Sequence, residues 1–189
     1  FSLLANLGHW KNVYHLMTRF INPNWPAPAH IKAFSTTRGG GFSQPPFDSL
    51  NLGDHVGDCS ETVIANRNSL PLLTPPCWLN QIHGCDVIEF SPDYKEPPKA
   101  DGCFSFEKYQ TCAVMTADCL PLLMTDVKGS FVAAIHCGWR GLAQGILQKF
   151  IATRPDPDNI LAWMGPAIGP GKFEVGEDVV AAFPDEQDA

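Results

Sequence analysis

The chain has 189 residues, of which 13 are Lys or Arg and 20 are Asp or Glu, and its formal net charge is -7. Charged residues make up 17% and apolar residues 44%, which excludes a disordered chain and fits one globular domain with its own core. The acidic balance without a Lys/Arg cluster argues against nucleic acid as a partner, and the longest apolar runs are far shorter than the roughly 20 residues of a membrane span.

The first sixteen residues are predicted to be an extraneous leader, because Met17 opens a segment that resembles a natural start. Their apolar positions loosely fit a short amphipathic helix. A basic stretch followed by a small-residue cleavage site is absent, so the segment is not expected to be a signal peptide. Residues 17–189 are predicted to form a single domain.

Short apolar runs predict the strands of a mixed sheet. Residues 78–81 and 87–90 are predicted to form two short strands around a turn, and residues 110–116 a further strand. The clearest unit is a strand at 130–136, an amphipathic helix after Gly138 and a strand at 159–164. These two strands are predicted to be parallel, with a right-handed crossover. A last helix is predicted at 179–183, with Asp178 as its N-cap.

The alternation of strands and helices predicts an α+β (α/β) fold, in which helices pack on a mixed sheet. In such folds ligands bind beyond the carboxyl ends of strands, and Cys119 and His136 are predicted to lie there.

The seven cysteines are odd in number and irregularly spaced, without a C-x-x-C pair. This excludes a complete disulfide framework, zinc ribbons and thioredoxin-type motifs. A reducing, cytoplasmic location is therefore expected. Cys59, Cys77, Cys103 and Cys112 are expected to be small buried hydrophobic residues.

Three segments each carry one potential metal ligand beside small or turn-forming residues. The potential ligands are His83, Cys119 and His136. Two imidazoles and one thiolate form a three-ligand zinc set with a fourth position for water or substrate, which is typical of catalytic zinc. Such a zinc ion lowers the pKa of its water toward about 7. The intervals between these residues match no recognised zinc motif, so spacing alone leaves open that they are buried residues without chemistry.

Several motifs of the chain are characteristic of one family. They are NQIHG at 80–84, TADCLP at 116–121, HCGWRG at 136–141 and GPAIGP at 165–170, with STTRGG at 35–40 and DSLNLG at 48–53. On these motifs the sequence resembles the YfiH family, also called laccase-domain or polyphenol-oxidase-like proteins. The resemblance extends from residue 18 to about residue 183.

The resemblance implies a CNF/YfiH-like layered sandwich of mixed β-sheets with flanking helices. It implies that residues 17–189 form one catalytic domain, truncated at the C-terminus, since family members typically continue further. It also implies a zinc-dependent purine nucleoside phosphorylase that cleaves adenosine, inosine and methylthioadenosine with phosphate and deaminates adenosine. The family's zinc-binding, catalytic residues fall on His83, Cys119 and His136.

Six further positions and one neighbouring cysteine are residues of interest beside the three candidate ligands. Asp118, beside Cys119, is expected to act as an acid/base or to orient the thiolate, unless it only caps a turn. Arg38, before three glycines, and Arg140, at a predicted helix start, are candidate phosphate ligands or structural ion-pair partners. Asn51 is expected to bind substrate or to organise its loop. Further residues of interest are His55 as a pocket residue, Cys137 as an extra soft ligand or a bystander, and Glu174, which matches a family motif without an assigned role.

The expected partners are purine nucleosides and phosphate, without nucleic acid or membrane, for a monomer or small homo-oligomer. A copper polyphenol oxidase is a second interpretation, although no two histidines are two residues apart, as paired His-x-His ligation of several coppers requires. Copper is therefore ranked below zinc. A third interpretation is a cysteine hydrolase with a Cys119/His136 pair, and a fourth is a factor that edits peptidoglycan precursors.

Overall fold

The computed structural model describes residues 2–7 and 19–184 of the chain. Over these residues it contains two β-sheets and four α-helices, and the segment between α3 and β9 adds a 3-10 turn at Pro157–Asn159. The elements are β1 (Ser2–Leu7), β2 (Phe20–Ile21), β3 (Ile31–Thr36), α1 (Ser60–Asn68), β4 (Val87–Glu89), β5 (Gly102–Ser105), β6 (Thr111–Met115), β7 (Leu120–Asp126), β8 (Val132–Cys137), α2 (Trp139–Ala143), α3 (Ile146–Ala152), β9 (Ile160–Met164) and α4 (Glu177–Ala182).

The larger sheet is mixed and has the strand order β4-β5-β8-β7-β9. Strand β4 is parallel to β5, whereas β5–β8, β8–β7 and β7–β9 are antiparallel pairs. Because β8 and β9 are both antiparallel to β7, they run in the same direction, which confirms the prediction that they are parallel. They are not neighbours, since the unpredicted strand β7 lies between them. The handedness of the crossover stays a prediction.

The smaller sheet has the order β2-β3-β1-β6 and is antiparallel throughout. Strand β1 pairs with β3 on one side and with β6 on the other, so residues 2–7 form a strand. The predicted amphipathic helix is therefore wrong for these residues, and its other positions, 1 and 8–16, lie outside the described residues. The boundary between leader and domain at residue 16 stays a prediction.

Three apolar clusters hold the layers together. Between the sheets, side chains of β3 and β6 meet those of β5, β7 and β8, with Leu123 and Val132 fully buried. The alternate residues of β7 and β8 face the other way, against Ile146 and Phe150 of α3. A third cluster, around Phe34, packs residues 50–72 against the smaller sheet. These layers confirm the predicted α+β sandwich.

Several elements differ locally from the predictions. Residues 78–81 form no strand, and this part of the chain makes only isolated bridges, at Cys77 and at Asn80. Strand β4 therefore has no partner in the preceding segment, and it pairs in parallel with β5. The helix predicted after Gly138 is two helices, because Gly145 has φ 78° and interrupts the helical backbone. The last helix begins earlier than predicted, with Gly176 rather than Asp178 as its N-cap.

The cysteines follow the expectation except at one position. Cys77, Cys103 and Cys112 are buried as predicted, whereas Cys59 is exposed because it precedes α1 at the surface. No described helix combines the length and the apolar character that crossing a membrane requires.

Leu123 offers a test of the core between the sheets. Its side chain is fully buried there, so Leu123→Ala is expected to lower the free energy of unfolding by about 2–5 kcal/mol. Leu73 is 45% exposed, and Leu73→Ala is the matched control, with an expected change within about 0.5 kcal/mol. Denaturant unfolding of both variants measures the difference; equal losses would contradict the assigned core.

Candidate metal and substrate site

His83 lies in a loop that is fixed through its backbone. The side-chain amide of Gln81 donates to the carbonyl of Met115 and accepts from its N–H, both at 2.8 Å, which ties the loop to the end of β6. The next three backbone N–H groups, of Ile82, His83 and Gly84, donate to the carboxylate of Asp101 at 3.2, 2.9 and 2.6 Å. His83 has φ 58°, so the chain turns sharply at the residue that carries the imidazole.

His136 comes from the buried strand β8 and meets the same carboxylate. Its Nδ1 lies 2.8 Å from Oδ1 of Asp101, and its backbone N–H donates to the Asp101 carbonyl at 2.7 Å. The ring is almost fully buried and lies edge-on to the His83 ring, with centroids 4.8 Å apart. Because Asp101 occupies Nδ1, the Nε2 atom of His136 is the one left for a metal.

Cys119 reaches the two histidines from the segment between β6 and β7. Pairing of β7 with β8 sets Pro121 opposite His136, which brings the preceding residues of the chain toward that ring. One nitrogen of each histidine and the sulfur of Cys119 lie within 4.8 Å of one another. Ligand atoms around tetrahedral zinc are roughly 3.5 Å apart. The donor set and its spacing therefore fit a metal ion after a small inward movement of the side chains.

Gly138 makes the close approach of the three ligands feasible. A Cβ atom at this position would lie 3.1 Å from the His83 ring, 3.3 Å from the Cys119 sulfur and 3.5 Å from the His136 ring. The two shortest of these contacts would require the neighbouring atoms to move. A glycine at the start of α2 is thus part of how the site is built.

Burial and neighbouring charges shift the pKa values of three groups at the site, His83, Cys119 and Asp101. Burial lowers the pKa of His83, and His136 lowers it further, so the imidazole is neutral at pH 7. Burial raises the pKa of the Cys119 thiol, as do the negative charges of Asp118 and Asp101. Burial also opposes ionisation of Asp101, but its hydrogen bonds outweigh this and lower its pKa, so it stays charged. A metal ion would displace the Cys119 proton, which makes its affinity rise with pH.

The three candidate ligand residues line a cavity of about 550 Å³ together with four other residues of interest. Those residues are Arg38, Asn51, His55 and Asp118. Arg38 donates from Nε to the carbonyl of Asp48 at 2.9 Å and from Nη2 to its carboxylate at 3.2 Å, and three of its five N–H donors remain for a ligand. These four residues and the three candidate ligands thus meet at one opening.

Asn51 uses its side chain within its own loop. The amide nitrogen donates to the Gly53 carbonyl and to the Asp58 carboxylate, both at 3.0 Å, and the amide oxygen accepts from the Gly53 N–H. Both amide donors are therefore engaged, which favours the loop-organising role over the substrate contact.

Three further residues named from the sequence do not line the cavity. The guanidinium of Arg140 lies over the Trp139 ring at 4.1 Å, although its charge also helps to lower the pKa of His83. Cys137 is buried in the cluster that faces the helices, because neighbouring residues of a strand point to opposite faces. It is not part of the ligand group. Glu174 is exposed in the segment before α4.

Asp101 was not identified from the sequence. It is fully buried directly before β5 and touches both histidine segments. The available signal was a single acidic residue between Ala100 and Gly102, ahead of a short apolar strand. Such a residue resembles an ordinary turn aspartate until its burial is known.

Comparison with known proteins gives consistent matches. A family model described as multi-copper polyphenol oxidoreductase laccase matches residues 32–189. Escherichia coli (strain K12) has a protein named purine nucleoside phosphorylase YfiH that is 48% identical over 172 residues, covering 88% of this chain and 71% of the relative. A protein of Pseudomonas aeruginosa, also named a purine nucleoside phosphorylase, is 49% identical over 170 residues, covering 88% of this chain and 69% of the relative.

Solved structures share the fold. A crystal structure of a Neisseria meningitidis protein superposes with a TM-score of 0.83 at 45% identity, covering 90% of this chain and 72% of the other. The crystal structure of YlmD from Geobacillus stearothermophilus superposes with a TM-score of 0.76 at 29% identity, covering 93% of this chain and 71% of the other. The family model matches more than half of the chain and the relatives are nearly half identical to it, and the chain therefore belongs to the YfiH family of laccase-domain proteins.

Proposed function

We propose that the protein is a zinc-dependent purine nucleoside phosphorylase that cleaves adenosine, inosine and methylthioadenosine with phosphate and also deaminates adenosine. The observation that carries the proposal is the group of His83, Cys119 and His136 in the wall of a cavity of about 550 Å³. Small-molecule sites typically have volumes of about 300–1,000 Å³, so a nucleoside fits. The names of the relatives that are nearly half identical support the substrate class.

Zinc is the proposed metal because two imidazoles and one thiolate are a typical catalytic zinc set. When bound, it supplies a Lewis acid and a positive charge at the cavity wall. The predicted ligands for it are the Cys119 sulfur, the Nε2 atom of His136 and a ring nitrogen of His83.

In phosphorolysis, an oxygen of phosphate forms a bond to C1′ of the sugar while the bond from C1′ to the purine breaks. Arg38 is proposed to hold the phosphate, since its guanidinium lines the cavity and keeps N–H donors free beside its contacts with Asp48. The departing purine takes up a proton. Asp118, in the same cavity next to Cys119, is proposed to move this proton.

Deamination needs water at C6 of adenine and a proton for the departing ammonia, so it uses the same groups. Asp118 is again the proposed acid/base. The motifs of the known zinc deaminases, H-x-E and P-C-x-x-C, do not occur in the chain. Deamination here would therefore be an independent solution to the same chemistry.

Copper-dependent oxidation of phenols is the second candidate, because the matching family model is described as a multi-copper oxidase. Within residues 2–7 and 19–184, one group of three His, Cys, Asp or Glu side chains has the spacing of a metal site. One such group can hold one metal, whereas multi-copper oxidation needs several. Metal analysis of the purified protein and a phenol oxidation assay separate this candidate from the zinc enzyme.

His83→Ala, Cys119→Ala and His136→Ala are each expected to abolish zinc retention and nucleoside turnover, because two remaining ligands hold the ion weakly. Elemental analysis after gel filtration measures the zinc, and chromatography of an adenosine reaction measures turnover. Cys59→Ala is the matched control, since Cys59 is an exposed cysteine outside the ligand group. Wild-type turnover in Cys119→Ala would refute the site.

The same chromatography separates the activities of the wild-type protein. Adenine that appears only with phosphate supports phosphorolysis, and inosine formed without phosphate supports deamination. If zinc-loaded protein forms neither, the proposal fails and editing of peptidoglycan precursors is tested next.

Arg38→Ala is expected to raise the KM for phosphate by about tenfold or more, because a charge-assisted hydrogen bond to the anion is worth about 1.5–3 kcal/mol. Arg140→Ala is the control, since this guanidinium stacks on Trp139 and does not line the cavity. Initial rates over a range of phosphate concentrations give both constants. A larger effect in Arg140→Ala would reverse the assignment.

The cysteine-hydrolase interpretation predicts a different pH dependence of Cys119. A nucleophilic cysteine has a lowered pKa, whereas burial and the neighbouring carboxylates of Asp118 and Asp101 raise the pKa of this thiol above its ordinary value of 9.0. The thiolate forms only as the pH approaches the raised pKa. Iodoacetamide labelling of Cys119 in metal-free protein, followed by peptide mapping, is therefore expected to accelerate beyond pH 9. A rate that levels off near pH 7 would favour the hydrolase.

A further inference from the structure

We propose that Asp101 is the positioning residue of the metal site, which fixes the tautomer of His136 and the placement of His83 before any metal binds. The inference rests on the metal site of the proposed function. It concerns a residue that is not itself in the ligand group.

Both oxygens of the Asp101 carboxylate are engaged by neighbouring N–H groups and by the His136 ring. Oδ1 accepts a hydrogen bond from the backbone N–H of His83 at 2.9 Å and lies 2.8 Å from Nδ1 of His136. Oδ2 accepts from the backbone N–H groups of Gly84 at 2.6 Å and Ile82 at 3.2 Å. Each oxygen thus engages two partners, which is about the acceptor capacity of a carboxylate.

The backbone of Asp101 is fixed as well. Its N–H donates to the carbonyl of Asp86 at 2.9 Å, and its carbonyl accepts from the N–H of His136 at 2.7 Å. The residue is fully buried, so its carboxylate has no alternative partner in solvent. It is held in one position by β8 on one side and by the His83 loop on the other.

This arrangement determines which nitrogen of His136 carries the proton. An ionised carboxylate only accepts hydrogen bonds, so the nitrogen facing it must be Nδ1–H. A ring that binds a metal carries no second proton, so its lone pair then lies on Nε2. Because the other contact of Oδ1 is the backbone of His83, one carboxylate oxygen aligns both histidine ligands.

The rival interpretation is that Asp101 only anchors a loop. A loop anchor affects stability, but it has no reason to fix a ring tautomer. The tautomer and the metal affinity therefore separate the two interpretations.

The first measurement uses the metal-free wild-type protein. The side-chain nitrogen chemical shifts of His136 by NMR, with His136→Gln used for assignment, are expected to show the Nδ1–H tautomer as the dominant form. A dominant Nε2–H tautomer would overturn the inference without any variant of Asp101. Because no metal is present, this result does not depend on whether the protein is a phosphorylase.

The second measurement uses Asp101→Asn, which keeps the shape but replaces one acceptor oxygen by a donor. An asparagine cannot accept all four hydrogen bonds, so either the ring or the loop loses its partner. We expect a mixture of tautomers and a zinc affinity about ten- to one-hundred-fold weaker in chelator competition. The steady-state effect is expected in kcat for zinc-saturated protein, with a smaller change in KM for phosphate.

Asp126→Asn is the matched control. The carboxylate of Asp126 also accepts backbone N–H groups, from Lys128 and Ser130, but at the end of β7 remote from Cys119. Its replacement is expected to lower stability and leave the zinc affinity and the His136 tautomer unchanged. Equal loss of zinc affinity in both variants, or wild-type affinity in Asp101→Asn, would overturn the inference. A wild-type protein that binds no zinc would refute the proposed function instead, while the tautomer still tests the role of Asp101.

Discussion

The site depends on a single buried negative charge, the carboxylate of Asp101. Burial alone disfavours that charge, and removing a donor from a buried carboxylate costs several kcal/mol. Here the hydrogen bond from His136 and those from the backbone at Gly84 and Ile82 outweigh the burial, so the pKa is lowered. Because the donors come from the loop at residues 82–84 and from β8, the charge is tolerated only when both are in place. The stability of the buried charge and the alignment of the two imidazoles are therefore consequences of the same hydrogen bonds.

The strand order of the larger sheet brings these groups together. Gly102 of β5 pairs with Ile135 of β8, so Asp101 lies beside His136, and pairing of β7 with β8 brings Cys119 to the same end. Helix α2, which follows β8, then passes close to the His83 loop. A Cβ atom at Gly141 would lie 2.6 Å from the carbonyl oxygen of Gly84, so a glycine is required where α2 crosses this loop. The HCGWRG motif thus combines a ligand with two positions that have no room for a side chain.

The sequence predicted the layered fold, the strands β4, β6, β8 and β9 and the set of candidate ligands, because apolar runs and family motifs are local signals. It did not predict β7, which directly follows the turn around Asp118 and Cys119, or the break at Gly145, where one apolar face continues through two helices. Residues 78–81 have strand-like composition, yet their neighbours in space leave only isolated bridges. Asp101 was missed for a related reason. Its carboxylate contacts four groups, three in the loop at residues 82–84 and one in β8. These groups are distant in sequence, and only the fold brings them together.

The alternation of β8 also explains why the adjacent His136 and Cys137 supply one ligand rather than two. Successive side chains of a strand point to opposite faces, so His136 lines the cavity while Cys137 packs with Ala133 and Ile135 toward the helices. Within residues 2–7 and 19–184 the candidate ligand group therefore has three members, and all three line the cavity that Arg38 and Asp118 also line. A three-ligand zinc set leaves a fourth position, and the proposal assigns it to water or substrate in that cavity. In the proposed function the metal and the substrate therefore share this cavity, as catalysis at a metal requires, whereas a structural zinc site has four protein ligands and no open position.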